Sequence, residues 1–328
     1  MVQKKLMKIK FLFIMLLISK NYILAQKTPE NFGYKSMTFK FQDDKVDLII
    51  ISKKGEEKTI KPLFFFCQGS LPRPVVIYDE KGLFGTLPFM EAPFLDDYHI
   101  VIIAKPNIPI IANANTLGEN FMYLKENNFP PKGYTDRNYL DYYVFRNNFM
   151  IKQLFKERFV DKSKLVLAGH SEGSTIAAKM ASLNSKITHL IYSGGNPFGR
   201  IANILSEDKN KNKILNYWKE VVQNANNISY NGSDTFKAMY SFSLPQRENL
   251  FLLKIPILFT YGSKDVVANC NDLFQIEVIR NKKQNFTFLN YQDLEHNFFS
   301  VDENGMPNYK MENWNKVASD WLKWLNNN

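Results

Sequence analysis

Lys164-Leu165-Val166-Leu167-Ala168 runs directly into Gly169-His170-Ser171-Glu172-Gly173, and this in turn into Ser174-Thr175-Ile176-Ala177-Ala178-Lys179-Met180-Ala181. The first piece is short and wholly apolar in its centre, as strands buried on both faces of a parallel sheet are. The last is a small-residue run with helical character. Between them, glycines two positions before and two after Ser171 give room for a strained backbone and close packing, so the hydroxyl is lifted above the sheet. A bare Gly-x-Ser-x-Gly occurs by chance; the buried strand before it and the helix after it give it weight. The bland alternative is a glycine-rich strand–helix turn with a hydroxyl N-cap. The context predicts that Ser171 is a nucleophile.

Further apolar, strand-like runs flank this stretch: Met37–Phe41, Val46–Ser52, Pro62–Cys67, His99–Lys105, Thr188–Ser193, Ile255–Tyr261 and Asn285–Leu289. Helical spacing is found over Asp136–Phe159, with Leu140, Val144, Ile151, Leu154 and Phe155 on one side and Asp136 available as N-cap. Trp314–Leu325 reads as an amphipathic closing helix. Strand–helix alternation along one chain predicts an α/β fold with a mostly parallel sheet. Two stretches exceed that pattern. Residues 106–135 carry scattered Pro, Gly and Asn and read as a long loop. Residues 200–250 are too long for one crossover helix and read as a helical lid over the sheet's carboxyl edge. Ile201–Asn224 forms one or two helices in it, and Phe236–Phe242 another.

The 328 residues are 45% hydrophobic, 14% aromatic and 23% charged, which excludes a disordered chain. The net charge of +10 invites a nucleic-acid reading, but five lysines and no acids fall in the first 25 residues. Without that segment 37 basic residues face 32 acidic ones, and no basic block interleaved with aromatics remains to bind phosphate. The segment itself has a basic start, the apolar run Phe11–Ile18 and a small-residue site at Ala25. That is the order of a secretory signal peptide, and the apolar run is far below the ~20 residues that span a bilayer. The expectation is removal of residues 1–25, a mature chain from Gln26, and a protein exported to the periplasm or beyond with no stable membrane insertion. Cys67 and Cys270 have no metal-ligand spacing, which excludes a structural zinc site.

A serine hydroxyl needs a base. Of four histidines, His99 and His189 sit at amino ends of strands, and His170 lies inside the turn, where its side chain diverges from the hydroxyl. His296, in the loop after the last strand, is left. The base needs an acid to fix its tautomer. Asp265, in Tyr261-Gly262-Ser263-Lys264-Asp265, follows a buried strand and is preferred; Asp293, three residues before the histidine, is the competitor. Developing negative charge on a carbonyl oxygen needs backbone donors. Glu172, just after the nucleophile, supplies one. Ser70 (or Leu71) supplies the other, from Cys67-Gln68-Gly69-Ser70, where Gly69 is read as letting the chain turn.

On these residues (QGS, the GHSEG turn, YGSKD and EHNFF, in that order along the chain) the chain resembles the α/β-hydrolase superfamily over roughly residues 37–325. The resemblance implies an eight-stranded, mostly parallel sheet, a helical cap after the sixth strand, and hydrolysis with neither metal nor organic cofactor. Gln68 departs from the histidine that many members carry there, and 106–135 exceeds a minimal family loop. The function expected is a secreted serine hydrolase of carboxylic esters or thioesters, acting on a small-molecule or acyl substrate by Ser171, His296 and Asp265. A peptidase of the same fold and an inactive binding module are the alternatives. Phe236, Met239 and Phe242 of the lid, with Leu83, Phe84 and Phe89, either wall an acyl pocket or merely pack the lid onto the core, and the sequence favours neither reading. Family strand order would part the strands ahead of Cys67 and Cys270 by two others, about 14 Å at the usual ~4.8 Å spacing. Free thiols are therefore expected. Sequons at Asn227, Asn231 and Asn285 are read as chance in an Asn-rich chain.

Overall fold

Along β3 (Lys61–Cys67), Leu63 and Phe65 enter one apolar cluster while Phe64 and Phe66 enter another, on the opposite face of the sheet. Successive side chains of a strand alternate faces, so an uninterrupted apolar run requires a layer on each side. The computed structural model, which describes residues 27–84, 87–230 and 234–328, supplies both. The expected leader lies outside the described residues, as does the Asn231 sequon. Among the described residues no helix is long and apolar enough to cross a membrane.

The remaining strands of the main sheet are β1 (Lys35–Phe41), β2 (Asp44–Ile51), β4 (His99–Ile103), β5 (Val160–His170), β6 (His189–Ser193), β7 (Ile257–Gly262) and β8 (Phe286–Tyr291). Their spatial order is β1-β2-β4-β3-β5-β6-β7-β8. β1 and β2 pair antiparallel, as do β2 and β4; every other pairing is parallel, with Phe65 opposite Leu167 and Ala168 opposite Ile191. This is the α/β architecture that the resemblance implies. Cys67 ends β3 and Cys270 follows β7, with β5 and β6 between them, and both thiols are unbridged.

One face is covered by α1 (Leu140–Leu154) and α2 (Glu172–Leu183), which bring Val144, Met150, Ile151, Ile176 and Met180 onto Leu63, Leu165 and Leu167. The other is covered by α8 (Trp314–Asn326), whose Trp314, Val317 and Trp321 meet Phe66, Ala168 and Leu258. Each such side chain taken fully out of water stabilises the fold by about 1.5–3 kcal/mol. α1 starts at Leu140, not Asp136. The Asp136 carboxylate instead bonds Lys132 at 2.5 Å and closes a single helical turn, Lys132–Thr135.

The insertion between β6 and β7 holds α3 (Arg200–Glu207), α4 (Lys211–Gln223), α5 (Phe236–Ser243) and α6 (Arg247–Leu252), after which α7 (Ala268–Arg280) follows β7. Residues 106–135 are more ordered than a loop: Ile111–Asn113 pairs parallel with Val76–Asp79, which pairs antiparallel with Gly82–Phe84. The amide of Asn285 donates to the Leu253 and Ile255 carbonyls.

Candidate active site

The parallel strands end on one edge, and three of those ends deliver the predicted residues. Ser171 stands between β5 and α2 with φ 57° and ψ −128°, a left-handed conformation costly for a residue with a Cβ. The flanking glycines make it possible. A Cβ on Gly169 would lie 2.2 Å from the Gly173 carbonyl oxygen, and one on Gly173 would lie 2.1 Å from that of Cys67. Gly69 differs from the expectation. Its φ is not left-handed, and a Cβ there would make ordinary contact, 3.7 Å from Cβ of Ser171. The turn does not require this glycine; it keeps a side chain off the nucleophile.

Ser171 Oγ donates to His296 Nε2 at 2.9 Å, and His296 Nδ1 donates to Asp265 Oδ2 at 2.8 Å. Asp265 is fully buried, and its Oδ1 accepts from the Val267 amide at 3.1 Å. Asp293 is turned to solvent, 3.9 Å from Lys264. The structure therefore places Asp265, and not Asp293, beside His296. Burial alone would lower the pKa of His296, but the hydrogen bond and charge of Asp265, with Glu295 and Glu207, outweigh it and hold the imidazole above its ordinary value. His170 diverges from the hydroxyl, as expected: its Nδ1 bonds Ser193 Oγ at 3.0 Å, and burial, with repulsion from His296, pushes its pKa well down. His99 and His189 open β4 and β6, away from the site.

Ser70 and Glu172 both border the cavity that opens on Ser171. The loop carrying Ser70 is pinned from two sides. Gln68 Nε2 donates to the Ile103 carbonyl at 2.9 Å, and the Tyr134 hydroxyl donates to the Ser70 carbonyl at 2.7 Å. Glu172 is held as firmly. Lys105 Nζ reaches its Oε1 at 3.5 Å, and Arg200 of α3 bridges it to Asp234. Tyr134, Lys105, Arg200 and Asp234 were not foreseen. A lysine closing the apolar strand HIVIIAK was the one available signal, since a charge at a buried strand's carboxyl end needs a partner.

The cavity has a volume of about 520 Å³ and is more polar than an acyl pocket should be. Met239 and Phe242 line it, but so do Glu172, Arg200, Glu207 and Asp234. Phe236 turns its ring to Tyr217, because α5 packs that side on α4. Leu83 and Phe84 are exposed, with Phe84 against Phe121, because their strand edges the small sheet. Phe89 is core, packed on Phe94 and Trp321. Among the described residues no group of His, Cys, Asp and Glu is placed to hold a metal ion.

No protein-family model matches the chain, and no curated protein matches it. Solved structures do. An acylaminoacyl peptidase of Pyrococcus horikoshii is 14% identical with a TM-score of 0.55, over 88% of this chain and 41% of that one. Est1E of Butyrivibrio proteoclasticus, with ferulic acid bound, is 12% identical with a TM-score of 0.55, over 87% and 97%. A 2,6-dihydroxy-pseudo-oxynicotine hydrolase is 15% identical with a TM-score of 0.52, over 80% and 62%. The chain thus spans less than two thirds of the first and third of these proteins. The likeness is one of fold.

Proposed function

We propose that this chain, which has the α/β-hydrolase fold, is a serine hydrolase that cleaves carboxylic esters or thioesters through an acyl-enzyme. The observation that carries the reading is the unbroken relay from Asp265 through His296 to Ser171, opening on a cavity. In this reading Ser171 Oγ attacks the carbonyl carbon while His296 Nε2 takes its proton. Asp265 fixes the tautomer and stabilises the imidazolium. The carbonyl oxygen becomes an oxyanion, for which the backbone N–H groups of Glu172 and Ser70 are the proposed donors. Collapse re-forms the carbonyl and breaks the bond to the leaving group, which accepts the proton from His296. Water, deprotonated by the same histidine, then attacks the acyl-enzyme; its collapse frees the acid and restores Ser171.

One observation favours the peptidase alternative. Glu207 borders the cavity, and among the described residues its carboxylate has no hydrogen bond or ion pair, so a substrate amino group would find a partner there. Export belongs to the same proposal and rests on the order of basic, apolar and small residues before Gln26.

The test is a series of 4-nitrophenyl esters of graded acyl length run beside aminoacyl 4-nitroanilides. Ester turnover that falls about 10⁶-fold in Ser171→Ala supports the proposal. Anilide turnover without ester turnover favours the peptidase. A variant keeping a tenth of the activity would remove Ser171 from its role.

A further inference from the structure

Ser171 and His296 stand between two cavities, not beside one. The second, of about 500 Å³, shares both residues with the first and lies along the loop that carries Ser70. Phe66, Leu71, Val75 and Trp314 give it an apolar side, Gln68 and Asn297 a polar one, and among the described residues no carboxylate lines it. Arg73 does. Its Nε is buried without a hydrogen-bond partner, and among the described residues its side chain enters no hydrogen bond or ion pair.

Arg73 is half-buried: Nε has lost water and gained no partner, while the terminal nitrogens are not closed off, so a ligand in the cavity would meet a charge that the described residues do not pair. Burial pushes its pKa down, and among the described residues no carboxylate stands near enough to oppose the shift. An arginine nonetheless stays charged at any physiological pH. Pro72 and Pro74 flank it and restrict the backbone, and the Arg73 amide donates to the Leu71 carbonyl at 2.8 Å, so the main chain from which the side chain springs is held in place. The first cavity has the opposite balance, with Glu172, Glu207 and Asp234 against Arg200. An anionic group would be repelled from one side of the nucleophile and unopposed on the other.

We propose that the second cavity binds a carboxylate carried by the substrate, with the Arg73 fork on its two oxygens and the apolar side against the attached hydrocarbon or aromatic part. The substrates are then esters in which the acid or the alcohol bears a free carboxylate. This rests on the hydrolase reading only in taking the ligand to be a substrate.

Two measurements separate the claims. Calorimetric titration with benzoate, against benzyl alcohol as the neutral counterpart, reads the site without turnover. Benzoate should bind more tightly than the alcohol, lose at least tenfold in affinity in Arg73→Gln, and recover in part in Arg73→Lys. The second measurement is a ratio of kcat/KM between acid and methyl ester, so it does not depend on the folded fraction. 4-Nitrophenyl hydrogen glutarate tests the acyl side, and the acetyl ester of 4-hydroxybenzoate tests the leaving-group side. At least one ratio should favour the acid and fall 10- to 100-fold in Arg73→Gln. Benzoate that binds no better than benzyl alcohol, or equally well in Arg73→Gln, overturns the site. Two ratios indifferent to Arg73 overturn the substrate class. If neither ester is hydrolysed and Ser171 takes no fluorophosphonate, the hydrolase reading falls alone, and benzoate still decides the cavity.

Discussion

Ser171 holds a backbone conformation that residues with a Cβ rarely adopt, and the two glycines around it are sites where a single methyl group has no space. Gly173→Ala places a Cβ against the Cys67 carbonyl, a backbone atom that cannot swing aside. No folded protein is expected, and near-UV circular dichroism checks it; a native spectrum would mean that the elbow and β3 are less closely packed. His296 gives a prediction with a sign. Its folded pKa is raised, so its contribution to stability is present below about 6.5 and lost as pH rises through the folded value. The base works only when neutral, so the acid limb of kcat/KM should have its midpoint above 6.5. Glu207→Gln removes one of the raising charges and should move that midpoint down. Asp265→Asn should move it further and cost about 10⁴-fold in kcat. A midpoint at or below 6.5 in the unaltered protein would contradict this account of His296.

The loop after β3 and the insertion after β6 bring the site together, and both depend on contacts between distant parts of the chain. Tyr134→Phe removes the hydrogen bond to Ser70, worth about 0.5–1.5 kcal/mol, and should lower kcat a few-fold with little change in KM. An equal loss of thermal stability with kcat intact would make Tyr134 a packing residue only. Phe242, 1% exposed and 6.3 Å from the Tyr143 ring, is core as well as cavity wall. Phe242→Ala should destabilise by about 3–5 kcal/mol in urea unfolding. An altered acyl-length profile at unchanged stability would assign it to the pocket alone. The strand–turn–helix at Ser171 was legible in the sequence because it is built from consecutive residues with one strict steric demand. Asp265 was legible because it follows an apolar run, and His296 because the chain has only four histidines and the other three sit at strand starts or inside the turn. Tyr134, Arg200 and Asp234 were not: an exposed-looking charge or tyrosine in a polar segment shows its partner only once the chain has folded. The start of α1 lies later than Asp136 because Asp136 is itself in helical conformation, ending the turn Lys132–Thr135, while Tyr139 has the extended backbone an N-cap needs.

Across the whole molecule, the sheet separates two cores and gathers the strand ends that bear the site on one edge, where two cavities of opposite charge meet at Ser171. Runs of apolar residues identified the buried strands, but the small sheet around Ile111–Asn113 escaped because three-residue strands carry no period. Of the residues named for a pocket, Met239 and Phe242 line the cavity while Phe236, Phe84 and Phe89 pack elsewhere, since aromatics on a short helix or loop serve packing as readily as binding. Export is tested by N-terminal sequencing of secreted material, which should begin at or near Gln26; a start at Met1 would refute it. The central claim is that Ser171 is activated by His296. Fluorophosphonate labelling followed by peptide mass spectrometry addresses it most directly. The account predicts stoichiometric modification of Ser171, abolished in Ser171→Ala and strongly slowed in His296→Ala; modification elsewhere, or labelling of Ser171 at an undiminished rate without His296, would contradict it.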